Sequence, residues 1–189
     1  MSSEQGSSPN GKKGRRPALL VREMQIDDLA QIFHLGEQLF TPQDYPNLYR
    51  TWDEYEVVGL FQSDPENCLV AEQEGRLAGF LLGTTIEKRR SAWKYGYLVW
   101  LGVHPDFQRA GVAQKLFARF LDIMEETGAR IILVDTQADN HPALAFFRRM
   151  GFRSPERHVF LSLNMDTHRR EAKAGGHHAG VKGESRRRA

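Results

Sequence analysis

Apolar residues recur along this chain with two different periods, and the change from one to the other lays out its elements. Between residues 26 and 40, Ile26, Leu29, Ile32, Phe33, Leu35, Leu39 and Phe40 fall near the spacing of one helical face. Asp27 and Asp28 sit where negative charge favours a helix start. The ALLVREM stretch before them reads as a strand. TPQDYPNLYR breaks the helix with two prolines, TWDEYEVVGLFQS resumes as a second helix, and DPEN stops it. From residue 68 the rhythm changes. CLVAEQEGRLAGFLLGTTIE is two extended runs joined at Glu74-Gly75, a hairpin signal, and SAWKYGYLVWLGV is a longer aromatic and β-branched strand. GVAQKLFARFLDIMEETG then places Val112, Leu116, Phe117, Phe120, Leu121 and Met124 on one helical face and closes at Gly128. RIILVDT is short and nearly all apolar, the pattern of a strand buried on both faces. HPALAFFRRMGF has proline near a helix start and Gly151 past its end, and HVFLSLNM reads as a last strand. The order β-αα-β-β-β-α-β-α-β predicts an α/β domain over residues 19–166, a mixed sheet flanked by helices.

Composition adds the ends and the compartment. The chain has 189 residues, enough for one domain with a real core, and no apolar run long enough to cross a bilayer. Residues 1–18 and 167–189 are poor in apolar side chains and rich in Gly, Ser, Lys and Arg, so both are expected to be disordered tails. They also hold the basic excess: four basic side chains against one acidic in the first, seven against two in the second. The remainder, 19–166, is net acidic. The first residues lack a signal-peptide pattern, and the single cysteine, Cys68, excludes an internal disulfide; both point to the cytoplasm. His177 and His178 have no Cys or carboxylate partners at ligand spacing, so no metal is expected.

The stretch VHPDFQRAGVA carries the chemistry. A strand, a glycine-containing turn and a helix N-terminus together make an anion site, because the first helical N–H groups lack intrahelical acceptors. Small residues at 110, 111 and 113 let a ligand approach the backbone, while Gln108 and Arg109 supply donors and charge. The spacing fits neither the phosphate-loop NTPases nor the three-glycine dinucleotide fold.

VHPDFQRAGVA resembles the Q/R-x-x-G-x-G/A signature of the GNAT superfamily of acyl-CoA-dependent N-acyltransferases, with Gln108, Gly111 and Ala113 at its fixed positions. VDTQADNHPALAFFRRMGF is similar to the family's next strand-helix block, and the order of elements matches over residues 19–166. The resemblance implies a GNAT-like fold and acetyl-CoA as cosubstrate, without a metal. It places the CoA pyrophosphate on Gln108, Arg109, Ala110, Gly111, Val112 and Ala113. The pantetheine arm would pair with the main chain of Leu101, Gly102 and Val103, where the glycine reads as a point of close backbone approach. Asn140 would touch the arm, or cap the helix that follows, or do both.

Acyl transfer to an amine needs an oriented amine, a base, and stabilisation of the oxyanion and the leaving thiolate. The resemblance implies the Val103 N–H as oxyanion donor and two candidates for the base. Asp135 matches a glutamate of the ribosomal-protein alanine acetyltransferase group, one methylene shorter; Tyr97 matches a position where some relatives carry glutamate. Each also reads structurally, Asp135 as a turn cap and Tyr97 as a core aromatic. Where many relatives place a thiolate-protonating tyrosine, this chain has Phe147, which has no proton to give. DYPNLYRTWDEY offers Asp44, Tyr45, Tyr49, Trp52, Asp53, Glu54 and Tyr55 either to a cationic amine or as a solvated acidic helix with core aromatics. Trp93, Trp100 and Cys68 read as packing residues. The function implied is N-acetylation of a primary amine, on a protein N-terminus, a lysine or a small molecule, by a monomer or homodimer without membrane or nucleic-acid partners. The competing reading is a CoA-binding module with little turnover, tethered to nucleic acid by its basic tails.

Overall fold

Period-two runs pair and period-3.6 runs cover them, and the computed structural model shows how. It describes residues 18–41, 51–87, 93–156, 159, 161 and 163–176. Strand β1 (Leu20–Glu23) leads through a 3-10 turn (Ile26–Asp28) into helix α1 (Leu29–Leu39). Helix α2 (Glu54–Ser63) starts where the Asp53 carboxylate accepts the Glu56 N–H at 2.8 Å. Strands β2 (Cys68–Gln73) and β3 (Arg76–Glu87) form the expected hairpin, with positive φ at Glu74 (54°) and Gly75 (73°) as a tight two-residue turn demands. Then come β4 (Lys94–Val103), α3 (Val112–Glu126), β5 (Ala129–Val134) and α4 (His141–Arg149). The sheet runs β1-β2-β3-β4-β5, antiparallel until β5, which joins β4 in parallel.

Helices cover both faces. On one face, α1 and α2 bury Ile32, Leu35, Trp52 and Val57 against Cys68, Val70, Phe80, Leu82, Val99 and Trp100. On the other, α3 spans β2 to β5 and packs Phe120 onto Gly83 and Met124 onto Gly96. A Cβ at Gly83 would lie 2.5 Å from the Phe120 ring and one at Gly96 2.3 Å from the Met124 sulfur, so these glycines set how close α3 comes. Trp100 is core, as expected, but Trp93 is exposed, with the Arg130 guanidinium 5.5 Å from its ring centroid.

Three expectations meet different structure. Strand β5 is not buried on both faces: Arg130 and Leu133 are exposed, and among the described residues it pairs on one side only. Helices α1 and α2 stand over β3 and β4, and Leu133, on their side of the sheet beside Tyr97, lies past that cover. For the expected last strand, His158, Phe160 and Ser162 lie outside the described residues; Val159, Leu161 and Leu163 are not in a strand and are exposed. The chain divides into two compact units after Met150, and the second carries helix α5 (Met165–Gly176) where disorder was expected from residue 167. The Asn164 side chain accepts the N–H groups of Asp166 (3.0 Å) and Thr167 (3.1 Å), and Ala, Arg, Glu and Lys then favour helix. The remaining tail residues, 1–17 and 177–189, lie outside the described residues. Among the described residues no helix is long and apolar enough to cross a membrane.

A part-buried ion pair fixes the entry to α1. The Arg22 guanidinium grips both oxygens of Asp28, at 2.7 and 2.9 Å, and also donates to Glu72. The Gln25 N–H adds a 2.7 Å bond to Asp28. The hydrogen bond from Arg22 holds the Asp28 carboxyl below the usual carboxylate range, against the opposing effect of burial. A depressed folded value means stability that is complete above the unfolded value of about 3.9 and is lost as pH falls through the folded one. Asp28→Asn is therefore expected to cost about 2 kcal/mol at pH 7, discounted from the fully buried case because Arg22 is part-exposed. Urea unfolding from pH 7 to pH 3 should show that the variant has lost part of the parent's acid slope.

Candidate active site

The pleat of β4 creates an opening. Leu82 pairs with Trp100 but Gly83 with Leu98, so Val99 is an extra residue, a bulge. It turns both Val99 and Trp100 onto the α1–α2 face. The pairing of β4 with β5 ends just there, at Leu98 with Val134. Beyond it β4 continues to Val103 with β3 alone. The His104 N–H donates to the Ala78 carbonyl at 3.0 Å, so the backbone groups of His104 and Gly102 face β3. By alternation, those of Leu101 and Val103 face the gap. Gly102 therefore offers no group to the gap, and its lack of a side chain has another cause: a Cβ would lie 2.7 Å from the Phe80 ring.

At the end of β4 the chain makes a 3-10 turn, Pro105–Phe107, and reaches the signature. Arg109 (φ 61°) and Gly111 (φ 83°) are left-handed, and Gly111 is the N-cap of α3. The first bond into the cap is from the Lys115 N–H to the Gly111 carbonyl, 3.1 Å. The N–H groups of Val112, Ala113 and Gln114 precede it without intrahelical acceptors, at the positive end of a 15-residue helix. The reason for Gly111 is thus sharper than the sequence suggested. Only the Gln114 side-chain oxygen, at 3.6 Å, would meet a Cβ there, so conformation rather than crowding selects glycine. Gln108, Arg109 and Ala110 are exposed on the turn, whereas the Val112 side chain is buried and contributes only its N–H.

Tyr97 and Asp135 come together. Tyr97 lies opposite Leu133 in the parallel register, and its hydroxyl donates to Asp135 Oδ1 at 2.5 Å. Asp135 follows the end of β5, at the mouth of the gap. A carboxylate has roughly four lone-pair sites, so this bond does not exhaust it. Asn140 caps α4, accepting the Ala143 N–H at 3.2 Å through Oδ1. Phe147 is buried on α4 and meets Phe146 edge to face.

The acceptor candidates separate. Asp44, Tyr45 and Tyr49 lie outside the described residues. Trp52 is a core residue whose Nε1 donates to the Phe33 carbonyl at 2.9 Å, and Asp53 is a cap. Glu54 and Tyr55 are exposed on α2. Cys68 is fully buried, and burial pushes its thiol up to about 12, which makes it a packing residue and no nucleophile. Among the described residues no group of three or more His, Cys, Asp or Glu is placed to hold a metal.

Sequence reasoning missed two features. One is the Tyr97–Asp135 bond. The other is a clamp ahead of the signature: the Arg76 guanidinium pairs with Asp106 at 2.9 Å and lies 5.2 Å from the Phe107 ring centroid. No local pattern links residues 30 or more positions apart.

Comparison with known proteins agrees with the fold. N-alpha-acetyltransferase 30 of Schizosaccharomyces pombe is 32% identical over 128 residues, 67% of this chain and 77% of that protein. Ard1 from Thermoplasma volcanium superposes with a TM-score of 0.62 at 21% identity, over 74% of this chain and 85% of its own. The aminoglycoside N-acetyltransferase AAC(6')-Iy, solved with CoA, superposes with a TM-score of 0.63 at 22% identity, over 79% and 97%. At those identities the two structures speak for the fold alone. The model of the acetyltransferase (GNAT) family matches residues 29–152, which hold the bulged strand, the left-handed turn and the α4 cap, and this chain belongs to that family as an acetyltransferase.

Proposed function

We propose that the protein moves an acetyl group from acetyl-CoA to a primary amine, and that the amine is a protein N-terminus before a lysine side chain or a small molecule. The observation that carries the reading is the open edge of β4 leading straight into the Gly111 turn. An extended arm paired with Leu101 and Val103 arrives at the N–H groups of α3, where a pyrophosphate is held. The 32% identical relative, named for N-alpha-acetylation, supports the choice of an α-amine. The catalytic domain in this reading is 19–166, with the two ends outside it.

Acetyl-CoA supplies a thioester carbonyl; the protein's own groups do the rest. The Val103 N–H, aimed into the gap, stabilises the oxyanion as the C–N bond forms. Asp135 takes the amine proton through a water, and the Tyr97 hydroxyl holds that carboxylate in place. The C–S bond then breaks, and water protonates the thiolate, because Phe147 has no hydroxyl. Asn140 keeps α4 in register beside the gap.

The test is a panel of amines: a peptide with a free N-terminus, the same peptide N-blocked with one lysine, an aminoglycoside and a polyamine. Release of the CoA thiol is followed with each. The free N-terminus is expected to be used at least about tenfold faster than the others, a difference of about 1.4 kcal/mol. Turnover confined to lysine or small amines overturns the α-amine assignment, and release with none of them overturns amine acetylation.

A further inference from the structure

On the β3 side of β4, the polar face of α1, the β2–β3 turn and the end of β4 border an open groove of about 390 Å³. Leu35 and Leu77 form its apolar part, and Gln31, His34, Gln38, Arg76 and His104 supply its polar groups. We propose that this groove binds a small oxyanion, a carboxylate or phosphate group.

The donor set carries the proposal. No Asp or Glu lines the groove, although residues 19–166 hold more acidic than basic side chains. Arg76 spends one N–H on Asp106 (2.9 Å) and lies against Phe107, which orients the planar guanidinium and leaves further N–H groups of its five for a ligand. The Asp106 N–H donates to His104 Nδ1 at 3.2 Å. That bond places the neutral ring's proton on Nε2, so His104 also presents a donor. The 3.9 Å contact between His104 Nδ1 and Asp106 Oδ2 is too long to compete with it. The His34 Nδ1–H donates to Glu37 at 3.0 Å, so the neutral His34 ring adds no donor to the groove. Glu37 and Asp106 are thus tied to His34 and Arg76 and do not line the groove. The Gln31 and Gln38 amides, on the exposed side of α1, have no intramolecular partner among the described residues.

The proposal stands apart from acetyl transfer, and the experiment keeps the two separate. The full chain, first saturated with CoA to fill the turn at Gln108–Ala113, is titrated with sodium succinate and, separately, inorganic phosphate, followed by amide NMR shifts. Succinate or phosphate is expected to shift residues of α1 and the β2–β3 turn saturably; which of them does so assigns the carboxylate or the phosphate class. Arg76→Met and Gln38→Ala are each expected to weaken binding, the arginine change about tenfold or more. Gln38→Ala is at an exposed helical position and keeps the helix, so it serves even where the arginine change disturbs the turn. Arg109→Ala, on the CoA turn, is expected to leave unchanged the anion affinity read from the shifts of α1 and the β2–β3 turn, and because that readout is local to the groove it holds even without CoA binding. No saturable shift by either anion up to about 10 mM overturns the site. So does unchanged affinity in both groove variants, or loss of affinity in Arg109→Ala alone.

Discussion

Asp135→Asn is expected to lower kcat by about a hundredfold or more while leaving the dissociation constant for acetyl-CoA within about twofold. The substitution keeps the size of the side chain and an oxygen to accept from Tyr97, but removes the negative charge that, in the proposed mechanism, takes the amine proton. Tyr97→Phe removes the hydroxyl that holds the carboxylate at 2.5 Å and is expected to cost less, about tenfold, because the base itself survives. Initial rates with a free-N-terminal peptide, alongside calorimetric titration with acetyl-CoA, measure both effects. An Asp135→Asn rate equal to the parent's between about pH 6 and 9 removes Asp135 from the mechanism. A Tyr97→Phe loss exceeding that of Asp135→Asn reverses their roles.

Gly111→Val is expected to reduce acetyl-CoA affinity about a hundredfold, about 2.7 kcal/mol, and also to lower stability by about 1–3 kcal/mol. The second effect comes from the backbone. At φ 83° a β-branched residue is strained, although no neighbour but the Gln114 oxygen stands in its way. Helix propensity does not compensate, since Gly111 caps α3 and is not inside it. Gly111→Asn separates the two effects, because asparagine tolerates the left-handed region. It is expected to melt near the parent yet bind acetyl-CoA at least about tenfold more weakly, through a side chain placed where the pyrophosphate meets the N–H groups. Arg109→Ala is expected to weaken binding less than Gly111→Val, since the helix N–H groups stay. A Gly111→Asn protein that melts and binds like the parent overturns the phosphate-site reading.

The signature was legible because its demands are local. A left-handed cap before a helix calls for glycine within a few residues of the strand end, whatever else the chain does. The Glu74-Gly75 turn and the Asn140 cap were legible for the same reason. Gly102 was read on a local rule and turned out to answer a distant residue, Phe80, whose ring fills the space. The apolar run of β5 does not predict its exposure, because hydrophobicity states what a strand can bury, while the reach of α1 and α2 determines what is covered.

The sequence alone specifies the periods, the turns and the caps, and with them the order of elements through α4 and the glycine-capped turn before α3; these depend on neighbours within one helical turn or one hairpin. Only the tertiary structure decided where β4 leaves β5, because the bulge at Val99 has no glycine or proline to mark it and arises from the register with β3. It alone joined Tyr97 to Asp135, 38 residues apart, since a parallel pairing is set by the packing of α3 across both strands and not by any spacing along the chain.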